Sequence, residues 1–230
     1  MKPSLPFLLS LNGGYVDTAG YLALQGLFTS HVTGNFVTLG AALVLGTSGV
    51  IAKLLALPLF CTVVFTTRLL STALHAHPAP ALRFLLRCKL LLLGAGALLA
   101  IHFGPFRNGD GWQALVTGMT LVAAMAIQNA IHRIHMPSTS PTTIMTGNTT
   151  QLMIDLADMV RPLEPATRAV ISARLRRLAA SVAAFALGCS VAALTYALRG
   201  EWCFIVPPLV GLYIVLRREP AGMGEAVGLH

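Results

Sequence analysis

Apolar residues fall in long runs separated by short polar or basic interruptions, and the run lengths set the architecture. Six runs, at 5–27, 54–74, 83–103, 112–133, 178–198 and 202–217, come near or above the length of a membrane span. A helix needs about 20 apolar residues to cross ~30 Å of hydrocarbon, so each run predicts a transmembrane helix. Two further runs, 36–48 and 148–160, are apolar but short. At about 1.5 Å per residue each predicts a helix about 20 Å long, too short to span. The second also carries Asp155 and Asp158, which argues against an ordinary span.

Both short runs open on nearly the same phrase. His31-Val32-Thr33-Gly34-Asn35 returns as Ile144-Met145-Thr146-Gly147-Asn148, 113 residues later (146 − 33), close to half the chain of 230. The pattern predicts one membrane domain over 1–230 made of two repeats, roughly 5–103 and 112–217, each ordered span, half-helix, span, span. Three spans is an odd number, so the second repeat crosses upside down relative to the first. The predicted fold is therefore all-α: six transmembrane helices plus two re-entrant half-helices in an inverted 3+3 repeat, a plan that recurs in transporters. The repeat is imperfect, because the basic loop 161–177 lengthens the second half.

Composition supports the membrane over a soluble core. Hydrophobic residues make up 55% of the chain and charged residues 10%, against about 25% charged in soluble domains. The mean hydropathy is +0.74. The net charge of +8 does not point to nucleic acid, because the basic residues lie between apolar runs rather than on one face. It marks orientation instead. With the N-terminus cytoplasmic and both half-helices re-entrant, all sixteen basic residues except Lys53, Arg107 and Arg199 fall on the cytoplasmic side, Lys89 among them. Trp112 and Trp202 each follow a proposed outer loop, where an aromatic belt lies. The N-terminal apolar run resembles a signal peptide but lacks a small-x-small cleavage site, so it predicts a retained helix. Cys61, Cys88, Cys189 and Cys203 have no C-x-x-C spacing and predict buried small hydrophobes.

Candidate chemistry gathers at the repeated phrase. Irregular backbone at membrane depth is tolerated where it is buried in protein or lines a wet cavity. Gly34 and Gly147 suit a turn or close ligand approach. Thr33, Asn35, Thr146 and Asn148 are good helix-capping residues. Half-helices starting there would point positive dipole ends inward, toward an anion. The alternative is a pair of tight turns capping two short helices. Asp17 lies mid-span, where a carboxylate costs about 2.5–3.5 kcal/mol on insertion scales and usually faces an interior cavity. Proton carrier, counter-ion for a cationic substrate and protonated hydrogen-bond donor to the broken helix all remain open for it. Gln128 and Asn129 stand near its repeat equivalent (17 + 113 = 130) and predict cavity lining or interhelical bonding. His31 adjoins the first motif, but its counterpart Ile144 is apolar, so it carries little weight. Asp155 and Asp158 are expected at the cytoplasmic surface, and Arg174, Arg176 and Arg177 in topology and lipid contact. No Ser-His-Asp or G-x-S-x-G arrangement and no metal spacing occurs, so neither an enzyme nor a cofactor or metal is expected.

The segments G-Y-V-D-T-A-G-Y, F-T-S-H-V-T-G-N-F-V-T-L-G, A-I-Q-N-A and T-T-I-M-T-G-N-T-T-Q-L resemble the YoaK-like family of bacterial membrane proteins, a group of unknown function. The resemblance covers the whole chain, at Asp17, Thr33, Gly34, Asn35, Gln128, Asn129, Thr146, Gly147 and Asn148. Ile144 departs from it, standing where the family commonly has an aromatic or polar residue. The resemblance implies a multi-pass protein of the bacterial cytoplasmic membrane and implies no substrate. The expected function is secondary transport of a small polar or anionic solute between the two half-helix starts, with proton coupling through Asp17. A channel for small neutral solutes and a non-transporting scaffold or partner subunit are the alternatives. The expected partners are the lipid bilayer and a small-molecule or ion substrate, with assembly as a homo-oligomer left open.

Overall fold

The computed structural model describes residues 3–73, 78–137 and 139–217. Lys2, Arg218, His75 and His77 therefore lie outside the described residues. Those described form eight α-helices and one 3-10 segment, with no strand: α1 Leu5–Ala23, α2 Gly34–Leu45, α3 Val50–Ala73, α4 Pro78–Phe103, α5 Trp112–His135, α6 Met145–Met159, α7 Pro165–Arg199, a 3-10 turn Gly200–Ile205 and α8 Val206–Leu216. Four stretches are long and apolar enough to cross a membrane: Val50–Ala73, Pro80–Phe103, Trp112–His135 and Pro165–Leu216. The last is 52 residues long and takes in α7, the 3-10 turn and α8. The chain bends at Gly200, whose φ of +54° suits a residue without a Cβ.

Side-chain pairings give the helix directions. Ser10 meets Ser181 at 3.4 Å and Tyr15 meets Thr195 at 2.6 Å, so α7 runs parallel to α1. Tyr15 also donates to the Cys203 carbonyl, Asn12 to that of Pro207, and Arg217 to that of Pro3, so α8 runs back down α1. Gln128 donates to the Leu9 carbonyl while Gly118 packs on Leu24 and Leu27, which makes α5 antiparallel to α1. Lys89 against Gln128 and Gly96 against Leu121 set α4 antiparallel to α5. At one end of α3, Ser71 meets His135 of α5. At the other, Asp110, just before α5, caps it. Thus α1, α4 and α7 run one way and α3, α5 and α8 the other.

Close approach is built from glycine. A Cβ on Gly14 would stand 2.2 Å from the Phe185 carbonyl oxygen, and one on Gly188 would stand 2.0 Å from that of Leu11. Small residues at such a seam let two helices pack backbone to backbone. The centre of the bundle is α5, buried from Ala114 to His132 along one broad face. By contrast α2 packs on α3 and leaves Phe36, Val37 and Val44 exposed, Val44 to 85%. Apolar surface of that kind calls for lipid.

Several boundaries differ from expectation, among them the starts of α3 and α4, which come at Val50 and Pro78 rather than 54 and 83; two differences have a local cause. The first helix stops at Ala23 rather than 27, because Gln25 and Gly26 take left-handed φ values of 54° and 81°. The fifth predicted span begins early, at Pro165 rather than 178, because the basic segment is helical and packs on α6.

Candidate functional site

After Gln25 the chain folds back along α1 and reaches Asp17, which is 4% exposed. One carboxylate oxygen, Oδ1, accepts from the Thr29 and Ser30 amides, both at 2.8 Å, and from the Thr29 hydroxyl at 3.2 Å. The other faces His31 Nδ1 at 3.3 Å. Hydrogen bonds of this kind, from backbone N–H to an ionised carboxylate, are the strong ones. The hydrogen bond with Asp17 raises the pKa of the His31 imidazole. Asn35 closes the turn: its amide accepts from the Phe28 N–H at 2.9 Å and donates to the Phe28 carbonyl at 2.8 Å. From Asn35 the chain returns as α2 to the end it left. There Gln25 lies beside Gly49 and Gly109. At the same end Asp110 accepts from the amides of Gly49, Val50, Ile51 and Ala52, and Lys53 donates to the carbonyls of Gln25 and Ser48.

The second motif repeats the device with neutral groups. Gln128 donates to the Thr142 hydroxyl at 3.2 Å, and the Thr143 hydroxyl donates to Asn129 at 2.6 Å. Thr142 and Thr143 stand 113 residues after Thr29 and Ser30 (142 − 29 and 143 − 30). Asn148 donates to the Pro141 carbonyl at 2.7 Å, the same seven-residue reach by which Asn35 binds Phe28. Proline lacks an N–H, so this second clasp has only one bond of the pair.

The two turns arrive side by side. A Cβ on Gly13 would lie 3.3 Å from both the Thr142 carbonyl oxygen and Gln128 Nε2. Gly13 is four residues before Asp17, one helical turn or about 6 Å along the same face of α1. Five of the predicted polar residues have a place at this junction or beside it: Asp17, Gln128 and Asn129 anchor the turns, while Asn35 and Asn148 brace them; Thr33 and Thr146 are exposed and lie outside it.

Several expectations need correction. None of Thr33, Asn35, Thr146 and Asn148 caps its helix: neither α2 nor α6 has a side-chain cap bond, and Thr146 lies inside α6. The first amides of α2 are already used, by Gly34 to His31, Asn35 to Val32 and Phe36 to Thr33. That end cannot serve an anion with free N–H groups. Gly34 is needed for space rather than for a reversal, with a Cβ falling 3.1 Å from the Phe28 ring. Lys89 is no surface residue: it is 2% exposed and bonds to Gln128 Oε1. Asp155 is buried, not surface-bound. Arg174 grips it at 2.6 and 2.8 Å, Gln151 adds a third bond, and the guanidinium holds its carboxyl below the usual range. His31, given little weight by its unmatched counterpart, faces Asp17. A signal for part of this was present. The Thr29-Ser30 and Thr142-Thr143 pairs keep the repeat spacing, and Lys89 lies within the apolar run 83–103.

A cavity of about 410 Å³ opens beside the second motif, lined by Arg133, Ser140, Gly147, Gln151, Arg174 and Arg177 among others. It reaches Gly147 and Asn148 but none of Asp17, Thr33, Gly34 and Asn35.

Fold and site together define an all-helical protein with apolar helices suited to a membrane and a polar junction at the centre. The chain belongs to the family described as Protein of unknown function (DUF1275), whose profile matches residues 5–216. The expected membership of a family without an assigned function thus stands. No curated protein and no solved structure matches the chain.

Proposed function

We propose that this protein is a secondary transporter of a small polar or anionic solute, with its path at the junction on α1. The observation that carries this reading is the meeting of two oppositely directed turns at Gly13 and Asp17, one helical turn apart. We read α1, α3, α4, α5, α7 and α8 as the six spans and α2 and α6 as re-entrant half-helices of an inverted repeat. The alternating helix directions and the return of the chain from Gln25 to Gly49 support this. Irregular backbone at such depth belongs beside protein or a wet cavity. Buried polar atoms remain there for a solute or water to meet: Ser30 Oγ has no hydrogen-bond partner, and Lys89 has one, Gln128 Oε1.

Proton coupling fits Asp17 and its partner. Three donors converge on Oδ1 of the Asp17 carboxylate. A proton arriving through the half-exposed His31 would weaken those bonds and loosen the Thr29–Ser30 turn. Lys89, on the other side of Gln128, would meet the solute's negative charge. The base-rich ends of the helices support a reading in which the protein sits in the bacterial cytoplasmic membrane with both termini inside, and the exposed Trp112 and Trp202 at the opposite end suit an interfacial belt.

The test is counterflow in proteoliposomes, with small carboxylates, phosphate and neutral polyols offered in turn under an imposed pH gradient. Saturable, proton-stimulated exchange of one class, lost in Asp17→Asn and in Lys89→Met, is the expected result. Unsaturable permeability without proton dependence would replace the transporter with a channel, and absence of flux for every class would remove both. A second reading is favoured by one observation. Asn35 and Asn148 both bond to the chain's own backbone, as a scaffold's turns would. In that case substitutions at both would change stability or assembly and leave flux untouched.

A further inference from the structure

We infer that the cavity between the start of α6 and the facing ends of α5 and α7 is a binding site for a small anion bearing a carboxylate or phosphate group. As the inner mouth of the transport path it rests on the reading above; as a binding site it does not. At about 410 Å³ it has the size of a small-molecule pocket. Its lining includes three guanidinium groups and no carboxylate. Arg174 is neutralised by Asp155, which lies behind it at 2.6 and 2.8 Å. Arg133 and Arg177 are exposed and have no acidic partner among the described residues, so two positive charges remain uncompensated. Two forked donors facing one concavity match an oxyanion in shape and in charge.

The backbone adds to this. Helix α6 has no side-chain cap, and Gly147 in its first turn lines the cavity with no Cβ between its backbone and a ligand. An uncapped helix start beside arginines attracts an anion. Ser140 adds a hydroxyl to the polar wall, and Gln151 lines it while its amide donates to Asp155. Nothing comparable exists at the start of α2, whose first amides are engaged and whose Gly34 lies under the Phe28 ring.

The shared chemistry could be delivered by a free solute or by a lipid headgroup, so the experiment has two arms. Full-length protein in phosphatidylcholine nanodiscs is titrated calorimetrically with inorganic phosphate and with succinate. Saturable binding of at least one probe is expected. It should weaken about tenfold or more in Arg133→Gln or Arg177→Gln and with rising salt, and stay unchanged in the exposed neighbour Arg176→Gln. Ile144→Glu, which sets a carboxylate at the rim without touching the Asp155–Arg174 pair, should abolish binding in a protein whose circular dichroism is intact. In the second arm, native mass spectrometry follows retained phosphatidylglycerol. Retention that depends on Arg133 and Arg177 and competes with phosphate would assign the site to a headgroup phosphate. If neither probe binds and no arginine-dependent lipid is retained, or if the variants bind as the parent does, the inference falls. Binding without flux would keep this site and remove the transport reading. Flux without any arginine-dependent binding would do the reverse.

Discussion

The two turns that meet on α1 are built alike and held differently. In the first, one buried carboxylate gathers two amides and a hydroxyl, His31 sits on its other oxygen, and Asn35 clasps Phe28 by both backbone groups. In the second, the neutral Gln128 and Asn129 each hold one threonine, and Asn148 clasps Pro141 by its carbonyl alone. The first helix start is closed on itself; the second opens into an arginine-lined cavity. A single backbone device has thus become a tight, charged wall on one side and a looser, accessible one on the other. The difference teaches that two like turns 113 residues apart can be held by different donors and acceptors, one by a carboxylate and one by amides.

The sharpest way to break this contrast is Asp17→Ala. It leaves three buried donors unsatisfied, at about 1–3 kcal/mol each, so a loss of about 3 kcal/mol or more is expected in a detergent unfolding titration followed by circular dichroism. Asp17→Asn, which keeps an acceptor, should lose clearly less. Gln128→Leu comes next. It strips Lys89 of its bond and costs about 1.5–3 kcal/mol, the range for hydrogen bonds to charged groups. The paired substitutions Asn35→Ala and Asn148→Ala test the clasp directly. Two lost backbone bonds against one, with only a long contact from Asn148 to the Met145 sulfur besides, predict a destabilisation about twice as large for Asn35→Ala, about 2 against about 1 kcal/mol. Equal losses would erase the asymmetry.

The smallest effect separates the halves by pH. Asp17 raises the pKa of His31 above its ordinary value, so the bond stabilises the fold fully below about pH 6.5, and the gain is lost as pH rises through the raised value. Asp155 is shifted the other way by Arg174, so its contribution is present at neutral pH and lost as pH falls through the lowered value. Hydrogen-exchange protection, corrected for the intrinsic pH dependence of exchange, should therefore fall toward alkali at the first turn and toward acid in α6 around Asp155. His31→Asn should flatten the first response alone.

Much of the helix plan was legible in the sequence because run length and charge placement are one-dimensional signals. The break at Thr-Gly-Asn was legible too, and so was its recurrence. What stayed hidden depends on pairing across the bundle. Lys89 reads as one more basic residue near a helix end until α5 brings Gln128 against it. Asp155 reads as a surface acid until α7 extends back to Pro165 and sets Arg174 beside it. The motif asparagines read as helix caps for a local reason. Asparagine is a frequent cap, yet here the same amide reaches back seven residues, which composition cannot distinguish from capping. Asp110 shows the reverse case, a cap for α3 supplied from a loop 59 residues from Ile51 in the chain.

The most direct test of the account is the side from which each flank of the two turns can be reached. In a background without native cysteines, Gln25→Cys, Thr47→Cys, Pro137→Cys and Glu164→Cys would be labelled in sealed membrane vesicles with an impermeant maleimide from either side. The account predicts that Gln25→Cys and Thr47→Cys react from one side only, and Pro137→Cys and Glu164→Cys only from the other. Labelling of Gln25→Cys and Thr47→Cys from opposite sides would make α2 a span and contradict it.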